Sequence, residues 1–326
     1  MLNKTELLPD RPGVPPMAPM PEAEVLDISA LAETFCRGDI DLICVLGPTA
    51  SGKTRYAVGL ARTLTRLCGR PAEILSADSR QVYRGMDIGT GKDLGEYGEV
   101  PCHLIDIVPA GTRYNIGAYQ HDFEKAYAAV RERGGIPILC GGSGLYIEAA
   151  TCGYRLPQFD PDPQLRRTLE ALDHATLQAR LLALKPETPA STLESRRRMA
   201  RALEVALQEQ EHGVQYHETL PRKTWYIGML VPREERIERI DRRLEERLRE
   251  GLVDEVHGLL ESGIPADCLV DYGLEYKFVT QYLLGQCTYD EMVVLLGNAI
   301  HQFAKRQMTW FRGMERDGIR IHWVRP

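Results

Sequence analysis

The octapeptide Gly47-Pro48-Thr49-Ala50-Ser51-Gly52-Lys53-Thr54 constrains this chain more than any other segment. It reads G-x-x-x-x-G-K-[ST], follows the apolar run D-L-I-C-V-L at 41–46, and is followed by Leu60 and Leu64 at helical spacing. That is the strand, loop and helix setting such a loop requires. Its glycines let successive backbone N–H groups converge on phosphate oxygens, and the helix N-terminus adds partial positive charge. Lys53 supplies a point charge, and the Thr54 hydroxyl can ligate Mg²⁺. The loop specifies a bound diphosphate but no reaction: ATP hydrolysis, kinase transfer and departure of diphosphate all suit it.

The same alternation continues along the chain. Residues 72–76 (A-E-I-L-S), 103–108 (H-L-I-D-I-V) and 136–140 (I-P-I-L-C) read as buried strands, and 114–133 and 144–151 as helices. Strands alternating with helices at this spacing predict an α/β fold, a P-loop NTPase-like doubly wound parallel sheet. After Pro157 the pattern is helical only, rich in Arg, Leu and Ala, until strand character returns at 224–231. One long helix is expected over Ile237, Ile240, Leu244, Leu248, Leu252, Val256 and Leu259, with Arg/Glu pairs on its polar face. Helices at 275–284 and 289–311 and a last strand near 319–324 complete the reading. The expected organisation is a core over 40–157 and 219–326, interrupted by an all-helical insertion at 158–218. Residues 1–39 are expected to be an extension. Its proline-rich stretch, up to about Glu24, reads as disordered, with a short amphipathic segment at 25–35.

No apolar run approaches the ~20 residues of a membrane-spanning helix, and no signal-peptide-like stretch opens the chain, which predicts a cytoplasmic protein. The eight cysteines contain no C-x-x-C pair and no zinc-ligand spacing, so they read as reduced structural thiols. A net charge of −6 argues against a general nucleic-acid coat. Basic charge is nonetheless gathered locally. From Ile300 to Pro326 six cations face two acids, with Trp310, Phe311 and Trp323 interleaved.

Asp78 follows the second strand at its carboxyl end, the edge where open α/β sheets bind ligands. An acid facing a phosphate loop suits removal of a proton from a weak nucleophile, although a turn or helix-cap role is an equal alternative. An NTPase usually also carries a metal-holding acid after another strand. Here I-P-I-L-C ends in Gly141-Gly142-Ser143-Gly144, and Asp106 is the one substitute, which weakens the ATPase and kinase readings.

In order along the chain, G-P-T-A-S-G-K-T, D-S-R-Q-V-Y-R-G-M-D-I-G-T, H-L-I-D-I, I-P-I-L-C-G-G-S-G-L-Y, R-R-R-M-A-R-A-L-E-V and A-K-R-Q-M-T-W-F-R resemble tRNA dimethylallyltransferases over about residues 42–324. The first two motifs also occur loosely in adenylate isopentenyltransferases, which act on free nucleotides, but the Arg-rich and K-R-Q-x-T-W segments favour the tRNA enzyme. The resemblance implies that dimethylallyl diphosphate, not ATP, occupies the loop, with Mg²⁺ as cofactor. It implies that the exocyclic amine of an anticodon-loop adenosine attacks the allylic carbon. Asp78 is then the base, Lys53 stabilises the leaving group, and Ser143 helps place the reacting groups, unless it only caps the next helix. Asp78, Ser79, Arg80 and Gln81 would meet the target base and its neighbours. Arg166, Arg197, Arg198 and Arg201 would hold RNA phosphates, and Lys305, Arg306 and Gln307 RNA or the active site. The family suggests a monomer whose partner is the tRNA anticodon stem-loop, with no membrane.

Two departures stand out. Where the family commonly has a Gly-Tyr-Arg-Glu-like segment, this chain reads Tyr272-Gly273-Leu274-Glu275-Tyr276-Lys277, with Tyr276 and Lys277 in the Tyr and Arg places and Glu275 where a glycine is usual. An acid beside RNA phosphate is unfavourable, so local docking is expected to differ. The proline-rich N-terminus is the second departure.

Overall fold

A computed structural model describes residues 22–157, 162–213 and 216–326. Helix α1 (Ile28–Cys36) leads into strand β1 (Leu42–Leu46), the phosphate loop and α2 (Lys53–Cys68). Next come β2 (Ala72–Ala77), the short strands β3 (Tyr83–Arg84), β4 (Cys102–His103) and β5 (Val108–Pro109), then α3 (Ile116–Glu132), β6 (Ile136–Gly141) and α4 (Gly144–Thr151). Strand β7 (Arg155–Pro157) precedes helices α5 (Pro163–Glu170), α6 (His174–Leu184), α7 (Ala190–Leu193) and α8 (Arg196–His212), and β8 (Tyr216–Glu218) follows them. After β9 (Thr224–Met229) come α9 (Arg233–Arg249), α10 (Leu252–Glu261), α11 (Ala266–Tyr272), α12 (Leu274–Leu283), α13 (Tyr289–Arg316) and β10 (Ile321–Val324).

Six strands form one sheet in the order β10-β9-β1-β6-β2-β4, and every neighbouring pair is parallel. Strands buried on both faces need continuous apolar sequence, and all five residues of β1 are buried. Side chains alternate across the sheet, so Ile43 and Val45 join a core with Leu31 and Phe35 of α1 and Leu60 and Leu64 of α2. Leu42, Cys44 and Leu46 join the opposite core with Tyr119 and Phe123 of α3, Ile147 of α4 and Phe311 of α13. With helices on both faces, the carboxyl ends of β1, β6 and β2 lie side by side, and the phosphate loop, the 141–144 loop and Asp78 emerge there together.

A third core lies outside the sheet. Ile240 and Leu244 of α9, Leu252 and Val256 of α10, Tyr276 of α12 and Leu296 of α13 close over Val82, Tyr83 and Met86. Helices α5–α8 bury Leu169, Leu177, Leu181, Met199 and Leu203 against one another in a fourth. Among the described residues no helix is long and apolar enough to cross a membrane.

The structure departs from the sequence reading in several places, one being the end of the insertion, expected to be all-helical over 158–218, where Tyr216–Glu218 forms β8 and pairs antiparallel with β7. The apolar run 103–108 is not a strand: Leu104 and Asp106 have φ of 67° and 56°, and only Cys102–His103 pairs with β2. The expected single helix through Leu259 breaks at Gly251, whose φ of 104° divides α9 from α10. Helix α1, within the expected extension, packs into the core through Leu31, Ala32 and Phe35. Residues 22–24 are strapped to the sheet edge, where the Glu24 amide donates to the Trp323 carbonyl at 2.7 Å. The rest of the expected tail, residues 1–21, lies outside the described residues.

Candidate active site

The phosphate loop is shaped by two left-handed residues, Ala50 (φ 59°) and Gly52 (φ 78°). Gly47 is required for space as well, because a β-carbon there would meet Ser51 Oγ at 2.6 Å and Met229 Cβ at 2.9 Å. Pro48 and Ser51 are buried, while Lys53 and Thr54 are half-buried in the first turn of α2. Burial pushes the Lys53 amine below its ordinary pKa, and Asp78 is the foremost charge drawing it back up. The acid after β2 and the lysine after β1 thus interact electrostatically across the sheet edge.

Asp78 turns back on its own segment, Oδ1 accepting the Arg80 amide at 2.9 Å. Ser143 begins α4 without capping it. Its Oγ instead accepts the Ser79 amide at 3.1 Å and lies 3.4 Å from Ser79 Oγ. The hydroxyl after Gly-Gly therefore fixes the 78–81 segment. The Gln307 amide fixes the loop on the other side, Oε1 accepting the Thr49 amide at 2.8 Å and Nε2 donating to the Gly142 carbonyl at 2.9 Å. Gln307 is buried and joins two loops of the site, the active-site alternative of its expected contacts.

A cleft of about 640 Å³ opens over the loop. Ser51 to Arg55 of the loop and first turn, Arg239, Arg243 and Arg247 of α9, and Asp93 and Glu96 all line it. Burial, with Arg247 close by, pushes the Arg243 guanidinium below its ordinary pKa. Its ion pair is a distant one, with Asp93 at 3.4 Å, while Arg247 holds Glu275 at 3.0 Å. The desolvated Arg243 and Lys53 share this cleft with Arg247, a setting that suits an anionic ligand. The sequence reading missed these arginines, placing them only among the Arg/Glu pairs of the helix's polar face. Their signal was the four-residue spacing of 239, 243 and 247, which stacks them on one helix face.

The remaining expected contacts divide. Arg197 and Arg198 are exposed at the start of α8, and Lys305 and Arg306 are exposed on α13. Arg166 and Arg201 both grip the fully buried Glu204, so their charge is spent inside the insertion. Tyr276 is 1% exposed and donates its hydroxyl to Glu255 at 2.7 Å, so its ring packs the third core instead of facing RNA. Lys277 stays half-buried beside Phe278. Gln81 donates Nε2 to the carbonyls of Thr90 and Gly91. Asp106 gives its carboxylate to buried Lys92 at 2.5 Å and does not act as a metal-holding acid. Among the described residues no group of three or more His, Cys, Asp or Glu side chains is arranged to hold a metal.

With this geometry in place, comparison with known proteins is decisive. A family model described as IPP transferase matches residues 81–314. The chain belongs to the IPP transferase family. A relative from Porphyromonas gingivalis, named tRNA dimethylallyltransferase 2, is 53% identical over 287 residues, 87% of this chain and 93% of that protein. Another, from Syntrophotalea carbinolica and bearing the same name, is 49% identical over 87% of this chain and 94% of its own length. A solved tRNA isopentenylpyrophosphate transferase from Bacillus halodurans shares 34% identity at a TM-score of 0.63, covering 87% of this chain and 89% of that one. A eukaryotic dimethylallyltransferase, solved acting on tRNA, shares the fold at a TM-score of 0.67 and 21% identity, covering 87% of this chain and 74% of its own. Both the doubly wound sheet and the family expected from the motifs are thereby established.

Proposed function

We propose that this family member transfers a dimethylallyl group from dimethylallyl diphosphate to the N6 amine of an adenosine next to the anticodon of tRNA, releasing diphosphate. The names of its relatives support the tRNA prenyl transfer. One observation carries the chemistry: the charge of Asp78, after β2, acts on Lys53, after β1, and the loop after the intervening β6 offers Ser143 in place of an NTPase's acid.

The purine delocalises the lone pair of the attacking amine, which therefore needs a base in the transition state. With Oδ1 of Asp78 held by its own turn, Oδ2 takes that proton as the N–C bond forms. The allylic C–O bond breaks and its electron pair leaves on diphosphate. Lys53, the loop amides from Gly47 to Thr54, and Arg243 meet the charge that develops there. Thr54, Asp93 and Glu96 line the same cleft, and their oxygens would suit Mg²⁺, which takes few protein ligands and keeps substrate oxygens and water. Bound there, Mg²⁺ would neutralise diphosphate charge, with the Thr54 hydroxyl as its protein ligand.

Ser79, Arg80 and Gln81 form the side that receives the adenosine, and Arg197, Arg198, Lys305 and Arg306 are the exposed cations offered to RNA phosphates. The enzyme acts as a monomer, in the cytoplasm where its tRNA resides. The test is incubation with labelled dimethylallyl diphosphate and either unmodified tRNA or AMP. Label is expected in tRNA, and transfer to AMP alone, or release of ADP from ATP, overturns the reading.

A further inference from the structure

Glu255, on α10, has no place in the chemistry above, yet four donors converge on its carboxylate. Oε2 accepts the amides of Asp87 and Ile88, both at 2.7 Å. Oε1 accepts the Gly89 amide at 3.0 Å and the Tyr276 hydroxyl at 2.7 Å. The fit is close: a β-carbon on Gly89 would meet the Tyr276 phenol at 2.6 Å. A carboxylate satisfied by three consecutive amides holds those peptide units in one orientation, as an anion in a backbone nest does.

The carbonyls of the same loop point elsewhere. Gly89 O accepts Arg247 Nη1 at 3.3 Å, and Gly91 O accepts Arg243 Nη2 at 3.4 Å. Thr90 O and the same Gly91 O also accept Gln81 Nε2, at 3.4 and 3.1 Å. Gly91 keeps a φ of 62°, and a β-carbon there would lie 2.0 Å from Arg247 Nη2 and 2.2 Å from Arg243 Nη2. The loop is thus a single platform that ties the arginines of the diphosphate cleft to the last residue of the 78–81 segment, with the Gly91 carbonyl shared by Arg243 and Gln81.

We infer that Glu255 is a positioning residue for both substrates, holding the 87–91 loop so that Arg243 and Arg247 meet the donor while Gln81 meets the acceptor. The inference rests on the function proposed above. Loss of the carboxylate leaves three amides and a phenol competing for water, and any tilt of the loop displaces both sets of contacts together. A merely stabilising tie would lower the melting temperature and leave the ligand affinities of the folded protein as they were.

The test is Glu255→Gln, which keeps the side chain's size but offers an amide where only acceptors fit. Calorimetry with inorganic diphosphate and with unmodified tRNA should show both affinities falling about tenfold or more, with kcat at saturating substrate changing less. Glu255→Asp, retaining charge with shorter reach, should recover part of both. Glu261→Gln, exposed on the same helix, should change neither. A second measurement uses the unaltered protein: hydrogen exchange across 87–89 should slow when diphosphate alone is bound, and also when tRNA alone is bound. Unchanged affinities in folded Glu255→Gln, an effect on one ligand only, or protection by only one ligand or neither would each overturn the inference. Failure of the unaltered enzyme to prenylate tRNA would instead overturn the proposed function.

Discussion

Asp78 and Lys53 are legible from sequence because each sits at a position whose chemistry is set by the backbone around it, one after a strand and one at a helix start. Asp78→Ala removes the proposed base but no buried packing, and should lower turnover by about 100-fold or more while tRNA still binds, read by single-turnover transfer beside a binding assay. Comparable activity in that variant would refute the assignment. Arg243 was not legible, because a helix rich in Arg and Glu looks solvated until the fold shows what its polar face covers. Removing a charged hydrogen-bond partner typically loses about 1.5–3 kcal/mol, so Arg243→Ala should weaken inorganic diphosphate binding by roughly ten- to hundredfold. Arg243→Lys should restore the charge but only part of the affinity, since a fork suits phosphate oxygens better than a point charge does. Equal diphosphate binding by all three proteins would remove Arg243 from the site.

Between elements, the site depends on ties that no local pattern announces. Gln307 reads as one polar residue of a basic segment, yet from α13 it spans the phosphate loop and the loop after β6. Gln307→Leu keeps the bulk and strands the Thr49 amide and the Gly142 carbonyl, each at about 1–3 kcal/mol when buried. The expected result is a lower melting temperature together with a higher KM for the donor; a lower melting temperature alone would reduce Gln307 to a packing residue. The strands were readable because continuous apolar runs fit a sheet covered on both faces. The run H-L-I-D-I-V misled because periodicity registers hydrophobicity but not φ: Leu104 and Asp106 turn left-handed, and Asp106 meets Lys92 instead of extending the strand. The break at Gly251 was hidden in the same way, since the apolar stripe runs across it on both helices.

At the scale of the molecule, the insertion carries its own core and its own buried charge, so it can lose structure without the sheet. Burial alone would raise the Glu204 carboxyl, but hydrogen bonds from Arg166 and Arg201 outweigh it and hold the pKa below its ordinary value. A folded pKa below the unfolded one means that stability is fully present above the ordinary glutamate value, about 4.3, and drains away as pH falls through the lowered one. Glu73, held down in the same way by Arg133 and His103 against its own burial, adds an acid-sensitive point in the sheet. Glu204→Gln leaves Arg166 and Arg201 without their counter-charge, at roughly 3 kcal/mol, within the range for breaking a buried pair. If the insertion is the tRNA-holding unit, this variant should loosen α5–α8, bind tRNA more weakly at pH 7, and show a flatter melting profile below pH 5 than the unaltered enzyme. Diphosphate binding should be untouched, because no residue of α5–α8 lines that cleft. Parallel loss of both ligands would mean that the insertion and the sheet fold as one unit, and unchanged tRNA binding would move RNA recognition to the exposed cations of α13.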